Sequence, residues 1–316
     1  MELFVQRLFD GLSNGAIYAA VAVALVLIFK ATTLINFAQG ELAMFGTFFA
    51  YIFAVQAGFM DFFGDGFVRI WVAAVIAMVF AAVLGAVLER TLVRPFDPAD
   101  HLPVVLITLG LFLIINAVAG VIWNYEPRVL PNLFPNDRFF EFFENEDNPV
   151  GARLWYDSLG VIIALGIMLV VLFLILNRTK MGLAFRAVSS NTESARLVGV
   201  RTGRVLMFGW ALAAAFGAFG GILVAPRLNL SPNMMAPVLI YAFAAAAIGG
   251  LDSLGGAAIG GIIVGLIGSI VNGYLSDIEA LEFLRATPLL IPLIALLAVL
   301  WFKPAGMFGT ARVERV

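Results

Sequence analysis

Cysteine is absent from all 316 residues, which excludes disulfides, thiolate metal sites and a cysteine nucleophile. A single histidine, His101, cannot build a zinc site by itself. Lysine occurs only at Lys30, Lys180 and Lys303, never after a glycine, so no phosphate-cradling G-x-x-x-x-G-K-[ST] loop exists and the chain binds no ATP through a P-loop of its own. Charge is scarce as well. Charged residues make up 13%, about half the share of a soluble domain, too few for a charged exterior. Against these absences stand 62% hydrophobic residues and a mean hydropathy of +1.01. The chain reads as an all-α polytopic protein of inner-membrane type. At about 20 residues per span there is material for nine or ten crossings at most. The 31 glycines sit largely inside apolar runs, as in closely packed membrane helices. Long unbroken apolar stretches exclude the alternation of a barrel.

Nine spans are expected, at Leu12–Phe29, Leu42–Ala57, Ile70–Leu88, Leu102–Ile122, Leu159–Leu176, Val205–Ala225, Pro237–Gly249, Ala257–Leu275 and Pro288–Phe302. The first follows a leader with one basic residue and no persuasive cleavage site, so it reads as a retained span rather than a signal peptide. Basic residues set the orientation. The segment 177–204 carries Arg178, Lys180, Arg186, Arg196, Arg201 and Arg204 against one acid, Glu193, and is expected to face the cytoplasm. Alternation then puts Lys30, Arg90, Arg94, Lys303, Arg312 and Arg315 on that side too, with the N-terminus outside and the C-terminus inside. A short segment that turned back instead of crossing would flip the N-terminus.

The external segment 123–157 holds seven acids against three arginines. Its Phe139-Phe140-Glu141-Phe142-Phe143-Glu144 run is expected as a short interfacial helix. Two readings stand beside each other: a solvated loop with an interfacial anchor, or a docking surface for an external partner. Asn145–Asn148 has calcium-like donors but no EF-hand spacing.

Two stretches do not read as ordinary spans. Asn36-Phe37-Ala38-Gln39-Gly40-Glu41 puts amides and a carboxylate at the mouth of a short apolar run, and Gly249-Gly250-Leu251-Asp252-Ser253-Leu254-Gly255-Gly256 interrupts two others. Paired interruptions in the two halves of a chain mark broken or re-entrant segments of an internal repeat, with the substrate path at the repeat interface. Non-helical backbone at membrane depth is tolerated only where protein or a watery cavity satisfies it. A charge at mid-bilayer costs about 2.5–3.5 kcal/mol on insertion scales, so Glu41 and Asp252 should face protein or water. Asn36, Gln39, Gly40, Glu41, Gly250, Asp252 and Ser253 are the candidate pathway residues. The competing reading has the two acids capping the next helix in the headgroup region. Asn14, Thr108 and Asn116, polar groups inside spans, either line the path or bridge helices. Small residues four apart, at Gly11/Gly15, Gly217/Gly221, Gly256/Gly260 and Gly261/Gly265, signal close helix packing within the chain or between subunits.

In the cytoplasmic segment, Ser190 followed by Glu193 reads as a capping box, and Gly199 as a left-handed closing residue. Between them a helix of about eight residues carries Ala195, Leu197 and Val198 beside Arg196. So short a helix is marginal alone and needs something to pack against.

These pieces, in order along nearly the whole chain, resemble a known family. Asn36–Glu41, Phe185-Arg186-Ala187 leading to Glu193–Val200, and Ile248-Gly249-Gly250 through Ser253–Gly256 look like the branched-chain amino-acid permeases of ABC transporters, specifically the shorter of the two permease subunits. Glu193-x-Ala195 with Gly199 also resembles the Glu-Ala-Ala loop of ABC importers, with Ser194 in place of the middle alanine. The resemblance implies a single permease domain over 1–316 that is not an enzyme and carries no cofactor, metal or catalytic residue of its own. It implies a second, homologous permease subunit, two cytoplasmic ATPase subunits, a periplasmic substrate-binding protein and a bacterial inner membrane; no nucleic-acid partner is expected. Arg186, Ser190, Asn191, Glu193, Ala195, Arg196, Leu197 and Gly199 would form the ATPase-coupling element within 177–204. Transport would proceed by alternating access, driven from the partner chains. The external loop 123–157 is longer than the family leads one to expect.

Other readings stay open. The same architecture could carry urea or short amides. A self-contained channel or ion-coupled carrier would need charges inside spans, where there are almost none. An intramembrane enzyme would need a metal or catalytic dyad at depth, which one histidine and no cysteine do not supply.

Overall fold

A computed structural model of the chain describes residues 2–56, 66–96, 101–143, 151–274 and 287–309. The helices are α1 (Glu2–Thr32), α2 (Gln39–Tyr51), α3 (Phe67–Leu88), α4 (His101–Trp123), α5 (Tyr156–Arg178), α6 (Lys180–Ser190), α7 (Thr192–Leu197), α8 (Thr202–Leu228), α9 (Met235–Gly249), α10 (Leu254–Tyr274) and α11 (Leu290–Phe302). A π-helical turn extends α2 over Ile52–Gln56, and another extends α3 over Glu89–Val93. Among the described residues six helices are long and apolar enough to cross a membrane: Glu2–Thr32, Phe67–Val93, Leu102–Trp123, Tyr156–Arg178, Thr202–Leu228 and Leu254–Tyr274. The other three expected spans correspond to shorter helices, α2, α9 and α11, of 13, 15 and 13 residues.

The first span begins ten residues before its apolar run. Gln6, Arg7 and Asp10 lie on the polar opening turns of α1, where they satisfy one another at helical spacing: Gln6 Nε2 donates to Asp10 Oδ1 at 2.9 Å and Arg7 Nη1 lies 3.7 Å from Asp10 Oδ2.

The described residues fall into two compact units that interleave along the chain. One comprises Ala24–Pro131 and Gly166–Ala236. Its centre is α8, whose small-residue face receives α2 and α3. A methyl group added at Gly46 would meet the Ala218 side chain at 2.5 Å, and one at Gly85 would meet the Trp210 carbonyl oxygen at 2.7 Å. Gly217 and Gly221 leave room for Gln39 and Thr47 of α2. Aromatic rings fill the far end, with Phe48 stacked on Trp123 at 4.4 Å and Phe49 on Phe80 at 3.5 Å.

The other unit comprises Met1–Val23, Asn132–Leu165 and Pro237–Val316. Here α1 and α10 meet backbone to backbone: Gly11 and Gly15 face Leu266 and Ile262, while Gly261 and Gly265 face Ala19, Gly15 and Gly11. Gly256 and Gly260 pack instead on Gly249 and Ala245 of α9. All four small-residue pairs therefore pack within the chain.

Where an interfacial helix is expected, Phe139–Phe142 form a strand, and Glu144 lies outside the described residues. β1 (Phe139–Phe142) pairs antiparallel with β2 (Ala152–Trp155), with Phe139 opposite Trp155 and Glu141 opposite Arg153. A run rich in phenylalanine suits a strand. The cross-strand pairs hold it together, with Arg153 Nε 3.1 Å from Glu141 Oε1 and the Phe139 and Trp155 rings edge to face at 4.9 Å. The hairpin is tied to α1 by Arg153 N donating to Gln6 Oε1 at 2.7 Å. Asn145–Asn148 lies outside the described residues.

Candidate functional site

The break after α1 is built by its own side chains. Asn36 Oδ1 accepts from Ala38 N at 3.0 Å and the Asn36 carbonyl accepts from Gln39 N at 3.2 Å, a tight turn that starts α2. Gln39 Nε2 then donates to the Ala213 carbonyl at 2.9 Å, and Asn36 Nδ2 reaches Gln39 Oε1 at 3.5 Å. Ala213 is the twelfth residue of the 27-residue α8. At 1.5 Å per residue, α2 therefore opens about 16 Å along α8, near its middle. Asn36, Gln39, Gly40 and Glu41 are all buried.

Glu41 lies in the first turn of α2, whose N-cap Ala38 supplies no side-chain bond. Its carboxylate does not turn back to cap the helix. Oε2 accepts from Asn116 Nδ2 of α4 at 3.2 Å, and Glu41 is 2% exposed. The same Asn116 nitrogen lies 3.0 Å from the Pro232 carbonyl oxygen and 3.2 Å from Asn233 Oδ1, in the connection between α8 and α9. Tyr125 Oη donates to Asn116 Oδ1 at 3.3 Å. Asn116 is thus a bridge between elements, whereas Thr108 bonds back to Val105 O in its own helix at 2.9 Å. Asn233 and Tyr125 carry no signal in the sequence: one sits in a polar loop, the other just past a span.

The second break is a true interruption. α9 ends at Gly249, Gly250 takes φ +106°, and α10 starts at Leu254. Ser253 Oγ accepts from Gly256 N at 3.0 Å, a helix cap. The last carbonyls of α9 are closed from further along the chain, with Met307 N donating to Ile248 O at 2.8 Å and Phe308 N to Gly249 O at 3.0 Å. Asp252 is half-buried beside Gly309. Asn36–Glu41 belongs to one compact unit and Gly250–Ser253 to the other.

In the segment 177–204, α6 is capped by Thr179 Oγ1, which accepts from Gly182 N at 3.0 Å, and is anchored by the fully buried Phe185, which packs against Gly209 of α8. The expected capping box is displaced by one residue. Ser190 is the last residue of α6, and the cap of α7 is Asn191, whose Oδ1 accepts from Ser194 N at 2.8 Å. Asparagine caps at least as well as serine, and with Asn191 in that role Glu193 falls one position short of the reciprocal contact. α7 has six residues, not eight. Gly199 does close it, at φ +85°, with Gly199 N donating to Arg196 O and Val200 N to Ala195 O, both at 3.0 Å. Asn191→Ala should therefore cost α7 about 1 kcal/mol and speed hydrogen exchange at Ser194 N, whereas Ser190→Ala should leave that exchange unchanged.

Around α7 the candidate residues divide by direction. Ala195 is buried, Glu193 is exposed, Arg186 Nη1 bonds Asn177 Oδ1 at 3.1 Å and Arg196 Nε reaches Thr202 Oγ1 at 3.3 Å. Leu197 and the neighbouring Val198 are 89% and 79% exposed. An apolar pair is thus held outward on a turn closed by hydrogen bonds at Gly199 and Val200.

Residues 7–300 match a family described as the permease component of the branched-chain amino acid transport system. The chain belongs to that family. Fellow permeases span it end to end. The high-affinity branched-chain amino acid transport system permease protein LivH of Escherichia coli K12 is 26% identical over 99% of this chain and 98% of its own length. BraD, the corresponding permease protein of Pseudomonas aeruginosa, is 24% identical over 99% of this chain and 98% of its own. A probable LivH of Methanocaldococcus jannaschii is 27% identical over 91% and 87%. No solved structure matches the chain. As a member of this permease family, with six helices among the described residues able to cross a bilayer, the chain is a multi-pass membrane transport component.

Proposed function

We propose that the chain is the membrane-spanning subunit of an ABC importer for branched-chain or closely related amino acids in a bacterial inner membrane. It would pair with a second homologous permease, receive its solute from a periplasmic binding protein and take its energy from two cytoplasmic ATPase subunits, performing no hydrolysis itself. The six long helices with α2, α9 and α11 would make nine membrane segments, two of them entered through the breaks at Asn36–Glu41 and Gly250–Ser253. The segment 177–204 would be the cytoplasmic lever, with α7 seated in a groove of an ATPase.

The observation that carries this reading is α7. A six-residue helix is marginal in water, yet this one is capped at both ends and turns Leu197 and Val198 outward. In a family of transport permeases, that surface fits a partner on the energised side. Closure of the partner would bias the packing of the spans between outward and inward states, the element that both partner and solute must act on.

Purification from native membranes, with the accompanying proteins identified by mass, tests the assembly; two ATPases, a second permease and a binding protein are expected. In reconstituted vesicles, leucine uptake should require ATP and the binding protein. Concentration of a solute by the chain alone, without nucleotide, would refute the reading.

A further inference from the structure

The Asn116 side chain has one feature that helix bridging does not require. An amide nitrogen carries two hydrogens, yet three oxygens converge on Asn116 Nδ2: Glu41 Oε2 at 3.2 Å, the Pro232 carbonyl at 3.0 Å and Asn233 Oδ1 at 3.2 Å. Asn116 by itself can serve only two of the three at a time. One of the three is a carboxylate that is almost wholly buried, and among the described residues no lysine or arginine pairs with it. Burying a charge without a counter-charge is costly. The cluster is short of one hydrogen and one positive charge at the same point.

A primary ammonium group supplies both. It carries three hydrogens directed at three acceptors and a charge that pairs with the carboxylate. Of the groups around the site, Asn233 and Tyr125 are exposed and Glu41 is buried. The amide that occupies it is held by one bond on its other end, from Tyr125 Oη.

We propose that Glu41 Oε2, the Pro232 carbonyl and Asn233 Oδ1 form an ammonium-binding station for the α-amino group of the transported solute. Asn116 Nδ2 fills the station when no solute is present, and the ammonium displaces it. This rests on the amino-acid importer reading and deepens it: a neutral solute such as urea brings no charge to the carboxylate and gains little over the amide already there. Asn116 is a positioning residue, a placeholder whose removal leaves the acceptors intact.

The test uses the assembled transporter, permeases and ATPases together, in nanodiscs without the binding protein. Saturation-transfer NMR, which reads millimolar binding, compares leucine, leucine amide (ammonium kept, carboxylate neutralised) and 4-methylpentanoate (ammonium absent). Leucine and leucine amide should bind and compete with each other, and 4-methylpentanoate should not displace either. Glu41→Gln should weaken leucine binding about tenfold, the scale of one charge-assisted hydrogen bond, and Asn233→Ala several-fold. Asn116→Ala should bind leucine at least as well as the parent. The station is refuted by absence of transfer to leucine, by competition from 4-methylpentanoate, by unchanged binding in Glu41→Gln, or by a loss in Asn116→Ala as large as in Glu41→Gln, which would make Asn116 merely the bridge that holds Glu41 in place. Uptake separates the two levels. Amino-acid uptake by the complete system with any of those results sinks the station alone, and absence of amino-acid uptake sinks the importer reading beneath it.

Discussion

Gly15→Leu should yield little folded protein, and what survives should melt far below the parent. Membrane helices associate through close packing rather than exclusion of water, so a contact between backbones has no soft partner to yield. A first carbon on Gly15 would lie 2.8 Å from Ile262 Cα and 2.9 Å from the Gly261 carbonyl oxygen, and one on Gly11 would lie 2.9 Å from Leu266 Cα. The opposing glycines, Gly261 and Gly265, press on α1 in the same way. Relief requires α1 and α10 to separate along this whole stretch. Overpacking commonly costs about 1–3 kcal/mol; here the obstruction is main chain and the leucine adds three further carbons, so at least about 3 kcal/mol is expected. Gly110→Leu is the control, because a carbon added there meets nothing within 4 Å, and a better helix former inside α4 should not lower stability. Thermal unfolding in detergent, followed by monodispersity on size exclusion, reads both. Equal melting of the two variants would mean that α1 and α10 do not rely on this contact.

The same glycines show how far the sequence was legible. Spacing of four identifies a small-residue face but not its partner, since the pattern is local and the contact is not. Gly217/Gly221 turned out to serve α2, Gly256/Gly260 α9, and Gly11/Gly15 and Gly261/Gly265 each other. The long spans were readable because lipid demands apolar length. Their ends were not, because polar turns such as Gln6–Asp10 satisfy themselves and continue the helix beyond the apolar run. The breaks at Asn36 and Gly249 were visible as polar and glycine-rich interruptions. Their depth was hidden: that α2 opens near the middle of α8 follows from Gln39 meeting Ala213, a pairing 174 residues apart. The hairpin was missed for a related reason, since Phe139–Phe142 becomes a strand only when Ala152–Trp155 lies beside it. At α7 the error was one of register between two adjacent capping residues, which local propensity barely separates.

The register at α7 also decides which substitutions should uncouple the transporter. Reversing Glu193 and Arg196 is the obvious choice from sequence, but both are exposed and Arg196 already has a partner in Thr202. Exposed ion pairs are worth about 0–1 kcal/mol, so the change should weaken assembly modestly. Leu197→Asp with Val198→Asp is expected to do far more. In the free chain both side chains stand in solvent, so the fold should lose no more than about 0.5 kcal/mol per position. Seated in an ATPase groove, each apolar side chain would contribute about 1.5–3 kcal/mol by burial, and each aspartate would bring a charge to be desolvated or excluded. Together that predicts loss of ATPase copurification by about three orders of magnitude or more. ATP-driven uptake should disappear while membrane insertion and melting temperature stay at parental values. Asn191→Ala should fall between, because it frays the turn that presents the pair without removing the pair. Retained ATPase binding in the double aspartate variant would show that the partner grips another surface, and α7 would lose its role as the lever.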